Sequence, residues 1–183
     1  MSILIINNHD SFVYNLFYYV RSMGESVSVV DNDGWADVSK YEKIIVSPGP
    51  GTPLSERDSG NIRKMLDGYD GLILGVCFGH QILAHMLGSR IFTLSRPYHG
   101  EVDKIRHDQS PIYEGVPETF QAIRYHSLAV IPSSRIVVDA VSMSDGTVMG
   151  FHTPDMHVFG VQFHPESYFT EYGFMIIHNF VRL

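Results

Sequence analysis

Apolar positions along this chain follow two rhythms, and the rhythm changes near the middle. Residues 3–6, Ile-Leu-Ile-Ile, form an unbroken apolar run, the pattern of a short strand buried on both faces. Asp10 or Ser11 can cap the next segment, where Phe12, Val13, Leu16, Phe17 and Val20 recur at helical spacing until Gly24 stops it. Residues 27–30 and 44–46 predict two more strands, the second ended by Pro48-Gly49-Pro50-Gly51. Residues 58–66 predict a modest helix with Ile62, Met65 and Leu66 on one side. Residues 72–76 predict another buried strand, and residues 82–87 an apolar helix stopped by Gly88. This alternation predicts an α/β fold, a mostly parallel central sheet with flanking helices.

Beyond that point the runs shorten and turn aromatic and β-branched. Residues 119–125, 136–142, 148–152 and 158–163 read as strands, separated by turn signals such as Asp145-Gly146. They predict a smaller antiparallel extension of the sheet. Residues 170–183 place Phe174, Ile177, Phe180 and Val181 at helical spacing and predict a closing helix. No linker, repeat or low-complexity stretch divides the chain, so residues 1–183 are expected to form a single domain.

Composition narrows the function classes. Of 183 residues, 44% are hydrophobic and 18% charged, enough for a sizeable core. Thirteen basic residues face twenty acidic ones, a net charge of −7, which argues against a general electrostatic grip on nucleic acid. No apolar run approaches the roughly 20 residues of a membrane span, and no basic segment precedes the first apolar run. A cytoplasmic protein is expected. The lone cysteine, Cys77, excludes an intrachain disulfide and a Cys-rich zinc site. Ten histidines are scattered without an H-x-x-x-H or H-x-H pair, so no metal site is expected.

That cysteine sits in a telling place. Gly75-Val76-Cys77-Phe78-Gly79 follows a predicted strand and opens a predicted helix. It is the cysteine form of the G-x-S-x-G nucleophile elbow, in which small flanking residues let the chain fold sharply over the nucleophile. A helix N-terminus also favours thiolate. The competing reading is a buried structural cysteine. A nucleophile needs a base, and the base an orienting group. His164-Pro165-Glu166 offers both, because residues two apart in an extended segment share a face and Pro165 biases His164 toward extended geometry. A solvated His and Glu at a strand end is the plainer alternative. The Pro48–Gly51 loop lies where α/β sites collect, and free N–H groups at Gly51 and Phe78 can form an oxyanion hole. A plain rigid turn is the alternative there.

Four motifs in order carry a resemblance: P-G-P-G-T-P at 48–53, G-V-C-F-G-H-Q at 75–81, R-Y-H-S-L at 124–128 and V-Q-F-H-P-E-S at 161–167. Together they resemble the class I, triad-type glutamine amidotransferases over nearly the whole chain. With Asn8-His9-Asp10-Ser11-Phe12, Tyr14 and Asn15, the pattern looks like the glutaminase subunits of anthranilate synthase and, equally, of aminodeoxychorismate synthase. The resemblance implies that Cys77 attacks glutamine, with His164 and Glu166 completing the triad. It implies that Gly49, Pro50 and Gly51 contact the glutamine, that Gln81 holds it by hydrogen bonds, and that Ser127 and Leu128 bind its α-amino and α-carboxylate end. It further implies a separate chorismate-binding synthase partner that carries magnesium and receives ammonia, with no cofactor in this chain. A stand-alone γ-glutamyl hydrolase and a non-catalytic docking module remain as alternatives. Asn7, His9, Phe78 and Glu101 depart from the usual family residues.

Overall fold

The computed structural model describes residues 1–108 and 110–183. In chain order the first half contains β1 (Ser2–Asn7), α1 (Val13–Ser22), β2 (Ser26–Asp31), β3 (Lys43–Val46), α2 (Glu56–Ser59), α3 (Ile62–Met65), β4 (Leu72–Val76) and α4 (Phe78–Met86). There follow β5 (Arg90–Thr93), β6 (Glu101–His107), β7 (Thr119–Arg124), β8 (Leu128–Ile131), β9 (Val137–Ser142), β10 (Val148–His152), β11 (Val158–Val161) and α5 (Gly173–Arg182).

A nine-stranded sheet in the order β2-β1-β3-β4-β11-β10-β9-β6-β7 forms the spine. The strands β2, β1, β3, β4 and β11 run parallel, and antiparallel pairing takes over from β10 onward. A separate two-stranded sheet pairs β5 with β8. The fold is thus a mostly parallel central sheet with helices and smaller antiparallel parts. No helix among the described residues is long and apolar enough to cross a membrane.

Burial explains the parallel half. Both faces of β1 and β3 are covered, so Ile3 to Ile6 and Ile44 to Val46 are almost fully buried. One face packs on α1 and α5 through Val13, Leu16, Val20, Ile176, Ile177 and Phe180. The other packs on α3 and α4 through Ile62, Met65, Phe78, Ile82 and Leu83. Even Lys43, inside β3, is buried, and its Nζ donates to the Phe180 and Val181 carbonyls at 3.0 and 2.6 Å. The last carbonyls of α5 lack helical partners, and the ammonium satisfies them while complementing the negative end of the helix.

The structure departs from the sequence pattern at several points. Residues 158–163 read as part of the antiparallel extension, yet β11 lies parallel to β4, with Val158 opposite Ile73 and Val161 opposite Val76. A short apolar run has one pattern in either orientation; the β10–β11 hairpin turns the chain back so that β11 meets β4 in the same direction. The helix expected over 58–66 is broken into α2 and α3 at Gly60, whose φ of 52° does not continue a helix. Neither Asp10 nor Ser11 occupies the N-cap of α1; Phe12 does, without a side-chain cap, while the Asp10 carboxylate accepts the Phe12 N–H just ahead of it. The helix expected over 82–87 begins at Phe78. The sequence reading contains no strand at β5, β6 or β8, although residues 128–131, Leu-Ala-Val-Ile, are an apolar run.

Register sets the site. Because β4 and β11 end level with each other, Cys77 and Gln162 leave the sheet side by side, and the Cys77 N–H donates to the Val161 carbonyl at 2.8 Å.

Candidate active site

The turn between β4 and α4 is strained at Cys77, whose φ of 51° and ψ of −99° lie where a non-glycine residue rarely sits. Surroundings hold it there. A Cβ on Gly75 would strike the backbone of Gly79, and a Cβ on Gly79 would strike the Val46 carbonyl of β3. Both flanking glycines are therefore dictated by close backbone approach. The sulfur ends up nearly buried at the first turn of α4.

His164 and Glu166 follow β11. The His164 Nδ1 and Glu166 Oε1 are 2.6 Å apart, and both side chains are almost fully buried. The His164 Nε2 is buried with no hydrogen-bond partner among the described residues. Burial disfavours the charged imidazole, but the Cys77 sulfur and the Glu166 carboxylate outweigh it, so the His164 pKa is raised well above its ordinary value. An imidazole so placed can exchange a proton with a thiol while the carboxylate fixes its tautomer.

The N-terminal motif backs this pair. Asn15 Nδ2 donates to the Glu166 carbonyl at 3.4 Å. The Phe12 ring stacks on Tyr125 at 6.4 Å, and the Tyr125 ring meets His164 edge-on at 5.2 Å. Asp10 lies close enough to feel both His164 and Glu166; its own pKa is raised, chiefly by burial.

In front of Cys77 is a cavity of about 190 Å³, lined by the 49–51 loop, Cys77, Phe78, Gln81 and residues 125–128. It is well below the roughly 300–1,000 Å³ of drug-sized sites and suits a ligand the size of an amino acid. Larger hollows, about 500 Å³ beside His107 and Tyr113 and about 380 Å³ beside Asp37 and Tyr69, contain none of these groups. Neither the Gly51 N–H nor the Phe78 N–H has a backbone or side-chain acceptor among the described residues. Both border the cavity with Cys77, as an oxyanion hole requires.

The loop itself is braced by Asp58 and Asn32, which the sequence did not single out, together with Asn8 of the N-terminal motif. Asp58 Oδ2 accepts the Thr52 N–H at 3.0 Å, and it packs so tightly under Gly51 that a Cβ there would strike its carboxylate. Gly51 also has a φ of 89°. Asn32 Nδ2 donates to the Asp58 carbonyl at 2.8 Å and to Asn8 Oδ1 at 3.1 Å, and Asn8 Nδ2 donates to the Ser47 carbonyl at 2.7 Å. Asp58 follows the P-G-P-G-T-P motif by only a few residues, but its sequence context reads as an ordinary helix start.

At the other side, the Gln81 Nε2 donates to the Leu128 carbonyl at 3.2 Å and to Gln162 Oε1 at 3.0 Å. With both its N–H groups engaged, only Oε1 remains to accept from a ligand. The Leu128 carbonyl also meets His126 Nδ1 at 2.8 Å, and the Ser127 carbonyl accepts the Leu94 N–H at 2.8 Å. These two carbonyls are thus used internally. His126 is kept neutral by burial, its pKa pushed down to about 4, and its Nε2 accepts from Arg124 Nε at 3.1 Å.

Arg124 anchors this loop. It is fully buried, with NH1 2.7 Å from Asp103, NH2 3.0 Å from Asp145, and its guanidinium stacked 3.4 Å from the Tyr98 ring centre. Among the departures noted in the sequence, Asn7 pairs with Asp31 at 2.8 Å, His9 is exposed near Asp33, and Glu101 forms a bidentate pair with Arg96 at 2.7 and 2.9 Å. None of the three lines the cavity. His80, beside Gln81, packs against Phe151 at 5.0 Å, and burial pushes its pKa down to about 3.

Comparison with known proteins places this geometry. The family description "Glutamine amidotransferase class-I" matches residues 4–183. Anthranilate synthase component 2 of Saccharolobus solfataricus is 39% identical over 97% of this chain and 96% of its own. The component 2 of Thermococcus kodakarensis is 40% identical over 99% of this chain and 97% of its own. Aminodeoxychorismate synthase of Streptomyces griseus is 36% identical over 98% of this chain, which spans only 26% of that longer protein. Among solved structures, a Thermoplasma acidophilum protein provisionally described as part of a GMP synthase superposes with a TM-score of 0.89 at 26% identity, covering all of this chain and 92% of its own.

Proposed function

This chain belongs to the class I glutamine amidotransferases, and from that premise we propose that it hydrolyses glutamine at Cys77 and passes the ammonia to a chorismate-binding synthase subunit that makes anthranilate. The observation that carries the reading is the buried line of groups in which Glu166 holds one nitrogen of His164 and leaves the other toward the Cys77 sulfur. Cys77 Sγ attacks the carboxamide carbon of glutamine, and its proton passes to His164 Nε2. The Gly51 and Phe78 N–H groups receive the developing oxyanion. The C–N bond breaks as His164 returns the proton to the leaving nitrogen, so ammonia departs and a γ-glutamyl thioester remains. Water, deprotonated by the same imidazole, attacks the thioester, releasing glutamate and the free thiol.

Gly49, Pro50 and Gly51 wall the substrate on one side. Gln81 Oε1 accepts from its α-ammonium group, and the Ser127–Leu128 segment borders its α-carboxylate end. The partner is a second subunit that binds chorismate with magnesium, and a cytoplasmic setting belongs to this reading. The relatives matched over nearly their whole length are named anthranilate synthase component 2, which favours anthranilate as the product. The Streptomyces griseus relative favours the aminodeoxychorismate alternative, in which the same ammonia serves a different fate of chorismate.

The test is to isolate the tagged chain from its host with its bound partner and supply glutamine, magnesium and chorismate. Anthranilate fluorescence that vanishes with Cys77→Ser is the expected result. Glutamine-dependent chorismate loss without anthranilate would transfer the chain to the aminodeoxychorismate reading, and untouched chorismate would overturn both.

A further inference from the structure

Gln162 is a polar side chain with no exposed surface, placed where the triad mechanism assigns it no task. Its main chain is fixed by the β-sheet, because its N–H donates to the Met149 carbonyl at 2.8 Å. Its Oε1 accepts from Gln81 Nε2 at 3.0 Å, and its Nε2 points at the Cys77 sulfur at 3.6 Å. That separation suits an N–H donor and sulfur, whose radius exceeds that of oxygen.

The direction of this amide is set by its neighbours. The Leu128 carbonyl can only accept, so the Gln81 carboxamide must turn its nitrogen toward it. The second N–H of that nitrogen falls on Gln162, which must therefore answer with its oxygen. The Gln162 nitrogen is left facing Cys77. Reversal of either amide would set donor against donor or acceptor against acceptor in a buried site, where an unpaired polar group is costly.

We propose that Gln162 is a catalytic residue of the site: its carboxamide, oriented by Gln81, donates a hydrogen bond to the Cys77 thiolate and holds the sulfur ready for attack. The reason is charge. Thiol and thiolate differ little in shape, but only the thiolate gains strongly from an N–H aimed at it, so the contact favours the nucleophilic form. The Gln81–Gln162 pair also joins the two ends of the cavity. The carbonyl of Leu128, at the side proposed to receive the α-carbon of glutamine, is connected to the nucleophile through two carboxamides. The contribution to turnover rests on the glutaminase reading. The thiol's own reactivity does not, so the two can fail separately.

The experiment follows alkylation of Cys77 by iodoacetamide in the full-length chain as a function of pH. Gln162→Met keeps the length and bulk of the side chain and removes the donor. The expected result is alkylation about five- to tenfold slower than wild type near neutral pH, the loss of about 1 kcal/mol of hydrogen bonding. At high pH, where the thiol is ionised regardless, the variant should match or exceed the wild-type rate, because a less hydrogen-bonded thiolate is more nucleophilic. A general loosening of the fold would not produce this crossing of the profiles. Gln81→Met frees the Gln162 amide to turn and should displace the profile the same way by a smaller amount. Superimposable profiles for wild type and Gln162→Met, with near-ultraviolet circular dichroism unchanged, would overturn the proposal. If Gln162→Met does not fold, Gln81→Met decides: a displaced profile supports the proposal and a wild-type profile overturns it.

Discussion

The two halves of the large sheet are built on opposite policies toward polar groups. In the parallel half the interiors of β1, β4 and β11 are apolar on both faces, the buried Lys43 stands at the start of β3, at the opposite end from the site, and the reactive groups come where the strands end. Cys77 follows β4, Gln162 and His164 follow β11, and the 48–51 loop follows β3. In the antiparallel half, charge is taken into the interior. Arg124 is fully buried between Asp103 and Asp145, and Asp139 is buried in β9. One half supplies the level strand ends from which the proposed chemistry projects. The other supplies the rigid polar frame behind residues 125–128, which form the far wall of the cavity. The lesson is that the site lies at the seam, and that it can be damaged in two distinguishable ways.

The largest effect is expected at the parallel side. Glu166→Gln keeps the shape but no longer supports a protonated imidazole. Glutamine hydrolysis by the complex should fall by roughly 10²–10⁴-fold, with KM little changed, as read from initial rates of glutamate release.

Damage to the frame should look different. Arg124→Met strands two carboxylates: burial pushes both pKa values up, but hydrogen bonds from Ser142 and Ser144 with the guanidinium bring Asp103 below its ordinary value, and the guanidinium with Thr147 holds Asp145 well below it. The expected loss is about 3–5 kcal/mol in urea unfolding. Displacement of the 125–128 wall should raise KM for glutamine more than it lowers kcat, the reverse of Glu166→Gln. Acid acts on the same pairs. A carboxylate with a lowered folded-state pKa contributes stability above its unfolded value, and that stability is lost as pH falls through the folded value. Wild type should therefore lose stability below about pH 4 in part through Asp103 and Asp145, a component smaller in Arg124→Met, where only the hydroxyl and backbone hydrogen bonds to these carboxylates remain.

Asp139 gives the opposite slope. Burial pushes its pKa up to about 7, so the folded chain holds a proton there that the unfolded chain has already released. Its contribution is unfavourable and grows as pH rises from about 4 to about 7, then levels off. Asp139→Asn should remove that decline, and the stability difference between variant and wild type, followed across this range by urea unfolding, should increase in favour of the variant.

The smallest effect belongs to the surface. Glu101→Lys breaks an exposed pair with Arg96 and should change stability by no more than about 1 kcal/mol, with glutamine hydrolysis unaffected.

The same contrast explains what could be read from the sequence. Buried parallel strands announce themselves as apolar runs, and Ile3 to Ile6, Ile44 to Val46 and the elbow around Cys77 were legible for that reason. The four motifs likewise lie at strand ends, where local spacing carries the chemistry. In the antiparallel half β7, β9 and β10 were legible as β-branched and aromatic runs, but β5, β6 and β8 were not. The strand β6 reads Glu-Val-Asp-Lys-Ile-Arg-His, with Val102 exposed and only Ile105 and His107 buried, so its pattern is that of a polar loop. The direction of β11 depended on a partner remote in sequence. Asp58 and Asn32 escaped notice, and Gln162, though inside the V-Q-F-H-P-E-S motif, was given no role, because their importance lies in what they touch across the fold, and a polar residue carries no local mark that it will be buried. Lys43 was hidden in the same way, a charge inside a strand that makes sense only once α5 brings its carbonyls within reach.

The central claim is that Cys77 takes the γ-glutamyl group from glutamine. The most direct measurement is intact-mass spectrometry of the chain, with its partner present, after brief exposure to glutamine and an acid quench, followed by peptide mapping. A γ-glutamyl adduct confined to Cys77 is expected, lost in Cys77→Ala together with glutamate release. Glutamate formed at the wild-type rate by Cys77→Ala, with no adduct on either protein, would contradict it.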